Sequence, residues 1–386
     1  MEFMGYKRAD GRAGIRNHVL ILPGCACASE SCRIIAGQVK GTVNVIINTG
    51  CSDVAANTEM TQRVLMGFAL NPNVYGVVIV GLGCETVPHK MLREKIQAQT
   101  TKPVVSFGIQ EEGGTIKTIE KAVRAARELV EKAGMEQRVP CDISNILMGI
   151  ECGGSDATSG ISANPVVGEL SDHLIDWGAS TMMSETIEFI GGEHVLAKRG
   201  ATKEIHNQII RICQKFEEHL SAAGQNCRDG QPTPGNKDGG LSTLEEKSLG
   251  CIRKGGTRPV VEVLEEAERP TKNGAIIMDT PGYDIASVTS MVAGGCNVVV
   301  FTTGRGTPTG NALVPVIKVT GNRLTYQNMT DNMDVDVSAV TEGEQRAQEV
   351  CGSLMEELIR VCSGKMTKAE TYGFSDVCID HICRFV

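Results

Sequence analysis

Four short apolar runs in this chain each end at a glycine beside a cysteine, and this repetition restricts the fold more than any other feature. Residues 19–22 lead to Gly24-Cys25, 45–47 to Gly50-Cys51 and 77–80 to Gly83-Cys84. Residues 146–150 lead to Glu151-Cys152-Gly153-Gly154-Ser155-Asp156. Apolar runs of this length, bounded by turn residues, read as buried strands. In an open parallel sheet the carboxyl ends of the strands meet one crevice, where ligands bind. Cysteines placed there point into a common space, and the neighbouring glycines let the backbone turn sharply and approach a ligand. The spacing is too long and irregular for a zinc ribbon, so the signal is topological.

The rest of the chain supports a parallel α/β fold. Strands at 18–22, 42–47, 75–81 and 103–107 alternate with helical patterns at 28–39, 54–70, 88–99 and 114–134. Ile116, Ile119, Ala122, Leu129 and Val130 recur near helical spacing in the last of these. Such alternation implies parallel sheets with right-handed crossovers. A second series has strands at 145–150, 179–183, 274–278 and 297–301, helices at 166–177 and 203–222, and a final helix from about 340 before a cysteine-containing terminus. With a break near 136–142, the expected architecture is two Rossmann-like domains in tandem. Residues 1–140 form an N-terminal α/β domain with strand-end cysteines. Residues 141–386 form a C-terminal α/β domain with a Glu/His segment and a long glycine-rich loop. That loop, 224–256, carries Leu241, Leu244, Leu249 and Ile252 in an orderly series, which predicts a structured active-site loop rather than a linker. Residues 5–17, with three glycines and four basic side chains, read as a wrapped loop.

A formal charge of −8 argues against nucleic acid or an anionic membrane as the main partner. No apolar run reaches the roughly 18–20 residues that span a bilayer. No apolar stretch follows the N-terminal Met-Glu-Phe-Met-Gly-Tyr-Lys-Arg, so a cytoplasmic protein is expected. Its 15 cysteines are odd in number and argue for reduced thiols, some of them metal ligands, over a disulfide framework.

Cys25, Cys51, Cys84 and Cys152 suit a soft metal: an iron–sulfur cluster, zinc or Cu(I). Three thiolates leaving one iron open would make a Lewis acid able to hold a hydroxy acid. The competing readings are a mononuclear ferrous ion on oxygen and nitrogen ligands, or plain burial of small apolar residues. Cys27 or Cys32 could replace one member. Glu185, Glu188, Glu193 and His194 fall within eleven residues and offer a general base or metal ligands, although acids also gather in first helical turns. Lys237 and Lys247 lie in the glycine-rich loop, where burial can turn lysine into a base. Arg12 and Arg16 could clamp a carboxylate or form a solvated basic arm. Arg305 with Thr302 and Thr303 makes an anion nest. The chain has neither a P-loop nor an early Gly-x-Gly-x-x-Gly.

The motifs Gly5-Tyr6, Asp10-Gly11-Arg12, Arg16-Asn17, Gly50-Cys51, Gly81-Leu82-Gly83-Cys84-Glu85 and Cys152-Gly153-Gly154-Ser155-Asp156 together resemble the altronate/galactarate dehydratase family. The resemblance continues in order through Ser184-Glu185-Thr186, Glu193-His194, Gly235-Asn236-Lys237, Glu246-Lys247-Ser248-Leu249-Gly250, Lys254-Gly255-Gly256, Met278 to Asp284, and Thr302-Thr303-Gly304-Arg305-Gly306. It implies iron-dependent β-elimination of water from a sugar acid, with iron as a [4Fe-4S] cluster or mononuclear Fe2+. Its implied catalytic residues are His194, Lys247, Glu185 and Glu193. The implied substrate contacts are Arg12, Arg16, Asn17, Ser155, Asp156, Asn236, Lys237, Thr302, Thr303 and Arg305. Single-chain members of the family carry a small SAF-type domain ahead of the first motif. This chain therefore resembles a large subunit whose small SAF-type subunit is a separate chain, in a homo-oligomeric assembly. Pro23-Gly24-Cys25-Ala26-Cys27-Ala28-Ser29-Glu30 is closer in look to large subunits of (2R)-sulfolactate sulfo-lyases, which eliminate sulfite. A non-catalytic sugar-acid-binding protein is the alternative from another class; a thiol redox protein would lack its Cys-x-x-Cys.

Overall fold

The structure, a computed structural model, describes residues 1–382. Fourteen strands are present among them. They are β1 (Glu2–Lys7), β2 (Ala13–Gly14), β3 (His18–Pro23), β4 (Thr42–Asn44), β5 (Val74–Gly81), β6 (Val104–Gly108) and β7 (Val139–Asp142). There follow β8 (Leu147–Cys152), β9 (Ser180–Met183), β10 (Val260–Leu264), β11 (Ala275–Met278), β12 (Val298–Thr302), β13 (Val316–Thr320) and β14 (Val335–Asp336). They build a four-stranded sheet ordered β4-β3-β5-β6, a seven-stranded sheet ordered β10-β11-β9-β8-β12-β13-β14, and a small sheet ordered β2-β1-β7. The two larger sheets are parallel throughout. Helices cover their faces, which is why β3, β5 and β12 read as unbroken apolar runs.

The strand orders locate two crevices. From β3 the chain places β4 on one side and β5 on the other; from β8 it places β9 on one side and β12 on the other. Each reversal leaves an opening at the carboxyl ends of the strands. Cys25 directly follows β3, whereas Cys152 ends β8 in register with Thr302 of β12.

The helices Ala55–Leu70 and Asp284–Ala293 join the two large sheets. A side chain at Gly67 would lie 2.3 Å from the Ala293 carbonyl oxygen, so this close helix contact requires glycine. Asn71 donates to the carbonyls of Val292 and Cys296, and Asn73 to those of Asn297 and Leu313. One apolar core draws on both sheets, from Leu20 and Val77 to Val299 and Phe301.

Most of the expected helices are present within a residue or two, and helix Lys203–Ala222 has the expected bounds. The expected wrapped loop at 5–17 is instead partly strand, because β1 pairs antiparallel with β7, far along the chain. Strands β10, β13 and β14 fall outside the expected set. In β13, Lys318 interrupts the apolar pattern yet is buried, with Nζ donating 2.8 Å to the Thr309 carbonyl. Beyond Asn44 the expected 42–47 strand leaves the sheet, although Val45 and Ile47 stay buried. The glycine-rich segment is structured, with helices Cys227–Gly230, Pro234–Asp238 and Leu244–Cys251. No helix among the described residues is long and apolar enough to cross a membrane. Cys383, in the cysteine-containing terminus, lies outside the described residues.

Arg16 ties the ends of the chain together. Its guanidinium donates to Glu370 at 2.7 and 2.9 Å and to the carbonyls of Ile15, Val361 and Lys365 at 2.8, 2.9 and 2.8 Å. All five of its donors are used. Replacing it by alanine leaves the largely buried Glu370 with donors from Thr367 but no counter-charge, and Arg16→Ala should lose about 3–5 kcal/mol of stability in urea unfolding.

Glu266 gives the fold a pH dependence. It is buried, accepts from Ser290 Oγ at 2.6 Å, and burial pushes its carboxyl from 4.5 up to about 7. The native carboxyl thus binds its proton more tightly than the unfolded one. Its contribution is full below pH 4.5 and falls as pH rises towards 7. Above that the buried charge costs on the order of 3 kcal/mol. Glu266→Gln should therefore raise the Tm relative to wild type at pH 8 and leave the two nearly equal at pH 4.5, measured by thermal unfolding.

Candidate active site

Successive residues of a strand point to opposite faces, and the last two residues of β8 use this to serve two neighbouring groups. Glu151 accepts from Ser287 Oγ at 2.6 Å and Ser184 Oγ at 3.3 Å. Cys152 Sγ lies on the other side, 3.1 Å from Ser155 Oγ, 3.8 Å from Asn164 Nδ2 and 4.0 Å from Cys251 Sγ. Glu185 comes two residues after β9 with a left-handed φ of 64°, and its N–H donates to Thr280 Oγ1 at 2.7 Å. That conformation costs a non-glycine residue about 1–2 kcal/mol. Glu188 sits in the following turn, and Asp284 opens helix Asp284–Ala293. Lys247 and Cys251 are one turn apart on helix Leu244–Cys251, whose start is capped by Thr243 Oγ1 accepting from the Glu246 N–H at 3.1 Å. Lys254 follows in the turn Ile252–Gly255, fully buried.

Two groups of candidate metal ligands result, Cys152 with Glu188 and Cys251, and Glu151 with Glu185 and Asp284. Within each, one ligand atom per residue lies within 4.8 Å of the others. The first group carries its own counter-charge. Glu188 forms a buried ion pair with Lys254, and Lys247 Nζ stands 3.5 Å from its other oxygen. Burial alone would push the Glu188 carboxyl up, but the two ammonium groups outweigh it and hold it below the ordinary range. Burial would strip Lys247 and Lys254 of their protons; Glu188 and its neighbours reverse this and hold both above the usual lysine value. The hydrogen bond between Cys251 and Cys152 lowers the Cys152 thiol to about 6 and raises Cys251, so the pair shares one thiolate.

The second group lacks such compensation. Among the described residues no Lys, Arg or His nitrogen comes within 4.0 Å of Glu151, Glu185 or Asp284. Burial, then Glu151 and Glu188, push the Glu185 carboxyl well up, and the same causes bring Asp284 to about 7. Glu151 Oε1 and Glu185 Oε2 are buried without a hydrogen-bond partner.

A cleft of about 300 Å³ opens beside the first group, with Ser155, Asn164, Lys247, Cys251 and Arg253 in its wall. This is at the small end of the range for ligand sites.

Of the residues expected from sequence, Cys152, Ser155, Glu185 and Lys247 lie in this centre. Asn236 supports it, donating to the Ser155 carbonyl at 2.9 Å, and Thr302 Oγ1 donates to Asn164 Oδ1 at 2.6 Å. Asp156 shapes the turn, accepting from Thr158 and Asn322, and Thr303 Oγ1 accepts from the Gly306 N–H. Other placements differ from expectation. His194 is exposed and belongs to neither group, while Glu193 accepts from the Gly191 N–H. Lys237 is exposed, and Arg305, also exposed, donates to the Gly235 carbonyl at 2.7 Å. Arg12 pairs with Asp10 and donates to the Leu70 carbonyl, and Asn17 lies between Arg8 and the Ala133 carbonyl. With Arg16 fully engaged, the basic segment is an internal brace rather than a carboxylate clamp. Lys247 is held protonated, the opposite of a lysine tuned as a base.

Cys25, Cys51 and Cys84 lie in loops following strands of the four-stranded sheet, and Cys152 has Cys251 and Glu188 as its group instead. The three loops are bonded to one another, with Ala26 N–H donating to Thr49 and Thr86 N–H to Gly50. Cys25 is buried, which raises its thiol to about 11, whereas Cys51 and Cys84 are exposed.

Cys251, Lys254, Glu151 and Asp284 were absent from the expected site. The available signals were local: Cys251 falls one turn after Lys247, and Glu151 is an acid at the end of an apolar strand.

Comparison with known proteins places this centre in a family. Residues 143–384 match the model of the D-galactarate/altronate dehydratase C-terminal domain, and residues 5–134 that of the D-galactarate dehydratase/altronate hydrolase second domain. The (2R)-sulfolactate sulfo-lyase subunit beta of Chromohalobacter salexigens is 39% identical over 373 residues, covering 96% of this chain and 95% of that subunit. The altronate dehydratase of Bacillus subtilis is 33% identical, covering 98% of this chain and 77% of the relative. The galactarate dehydratase (L-threo-forming) of Escherichia coli is 35% identical, with coverages of 94% and 73%. The chain is an α/β enzyme of the lyase class. It belongs to the D-galactarate/altronate dehydratase family, which also takes in a sulfo-lyase subunit.

The buried ion pair yields a stability prediction. Lys254→Met leaves the buried Glu188 with only the more distant Lys247 as counter-charge and should cost about 3 kcal/mol. Adding Glu188→Gln should recover part of that loss, which a double-mutant cycle in urea would measure as a positive coupling.

Proposed function

We propose that the chain is the large subunit of a two-chain lyase acting on a small 2-hydroxy acid, removing the proton at C2 and expelling a group from C3. The observation that carries this reading is Lys247, held charged beside Glu188 at the wall of the cleft that Cys251 also lines. For the leaving group, the near end-to-end match to a sulfo-lyase subunit favours sulfite from (2R)-sulfolactate. Water from a sugar acid is the alternative, supported by the dehydratase relatives.

The family resemblance implies iron, and the donors fit a metal: one buried group mixes thiols with a carboxylate, and the other presents carboxylate oxygens without partners. A metal held there supplies a Lewis acid that stabilises an enediolate-like state. Cys25, Cys51 and Cys84, on bonded loops at the other crevice, form a proposed thiolate set for an iron–sulfur cluster.

The chain's own groups do the rest. The Lys247 ammonium binds the substrate carboxylate, and Ser155 and Asn164 bind its hydroxyl. The C2 proton passes to the Cys152–Glu188–Cys251 group. Its electron pair forms the C2–C3 double bond as the C3 substituent leaves with the pair from its own bond. The resulting enol tautomerises to a 2-keto acid.

The test is an anaerobic preparation of the chain with its small subunit, offered (2R)-sulfolactate, altronate and galactarate in parallel. Sulfite release in step with pyruvate supports the sulfo-lyase reading, and a keto-deoxy acid from altronate or galactarate supports the dehydratase one. Turnover of none of them removes the proposal. Lys247→Ala should lower kcat/KM about 10²–10³-fold, the scale expected for losing a charge-stabilising donor; full activity would remove Lys247 from the site.

A further inference from the structure

We propose that Glu151, Glu185 and Asp284 hold a hard divalent cation, Mg2+, Mn2+ or Fe2+, at a site distinct from the Cys152–Cys251 thiols. Three separate elements contribute: the end of β8, the turn after β9, and the first residue of helix Asp284–Ala293. Their oxygens gather within 4.8 Å. Glu151 and Glu185 are 0% and 2% exposed, and each keeps an oxygen with no donor. Burying such an oxygen unpaired is expensive unless a cation or a proton takes the place of water.

The neighbouring groups narrow the choice. Glu188 draws both nearby ammonium groups, Lys247 and Lys254, so none is left within 4.0 Å of these three carboxylates among the described residues. Ser184 and Ser287 hold the other oxygen of Glu151, fixing its orientation as supporting residues do around a metal ligand. Glycine at 153 leaves room for the third ligand, because a Cβ there would lie 1.9 Å from Asp284 Oδ2. An all-carboxylate donor set selects hard cations, while the thiols next door suit soft ones. The site deepens the lyase reading by naming where its metal sits, yet it can stand or fall alone.

The alternative is that Glu151 and Glu185 share a proton and bind nothing. Full-length chain stripped of metal would be titrated with Mn2+ alone, with free Mn2+ followed by electron paramagnetic resonance. One Mn2+ should bind per chain. The double variant Glu185→Gln/Asp284→Asn should weaken binding beyond the ~10–100-fold that loss of a merely supporting residue costs, and Cys152→Ser/Cys251→Ser should bind as wild type does. Mn2+ should raise the Tm of wild type but not of the carboxylate variant. That variant, relieved of like-charge crowding, should unfold no earlier than metal-free wild type. Absence of saturable Mn2+ binding, unchanged binding by the carboxylate variant, or loss of binding in the thiol variant overturns the site. Turnover without Mn2+ binding would sink the site and leave the lyase reading, and Mn2+ binding without turnover would do the reverse.

Discussion

A carboxylate leaves water only if a cation, a proton or several donors go with it, and the seven-stranded sheet gathers four of them, three buried and one partly so, at one end of its strands. Glu188 is neutralised by Lys254 and Lys247, and these interactions fix much of the centre's behaviour. They keep both lysines charged and hold Glu188 ionised. They also leave Glu151, Glu185 and Asp284 to find another counter-charge. The thiol pair beside them responds to the same field, since Lys254 favours the thiolate while Glu188 opposes it. The two ion pairs of Glu188 thus divide the centre into a half that is internally balanced and a half that is not.

The sheet topology explains why these groups meet. Glu151 and Cys152 end the strand from which the chain departs in both directions, so the loops after β9 and β12 flank them. The four-stranded sheet repeats the arrangement with Cys25 at its own reversal point. Gly67 lets the connecting helices meet almost backbone to backbone, and the asparagines at 71 and 73 complete the joint. Each crevice is therefore built on a rigid neighbour.

Local patterns made much of this legible. The apolar runs of β3, β5 and β8 and the amphipathic helix Lys203–Ala222 follow from side-chain periodicity alone, and so did the placing of Cys25 and Cys152 at strand ends, whereas Cys51 lies well beyond the end of β4. What periodicity cannot say is which strands share a sheet. Cys25, Cys51 and Cys84 were grouped with Cys152 because all four have the same local form, yet they belong to different sheets. Arg16 looked like a free guanidinium in a basic segment because its partner, Glu370, is 354 residues away. Lys247 was expected to be tuned as a base, but the direction of its shift depends on Glu188, which a separate turn supplies. Strand β1 escaped notice for a similar reason: its order comes from β7.

The glycine-rich segment has a constraint that its composition conceals. Lys247, Cys251 and Lys254 all come from residues 244–255, so docking this one stretch brings in both ammonium groups and the second thiol together. It docks at backbone contact. A Cβ at Gly250 would lie 3.1 Å from the Gly160 Cα, and one at Gly168 only 2.3 Å from the Arg253 carbonyl oxygen. Those glycines allow an approach close enough for Lys254 to reach Glu188 in the core. Swinging the segment away would strip Glu188 of its counter-charges and leave a bare carboxylate in a low-dielectric pocket, a cost of several kcal/mol. Hence this stretch is a fixed wall of the proposed site rather than a mobile lid. The cleft lined by Ser155 and Lys247 stays open with this wall in place.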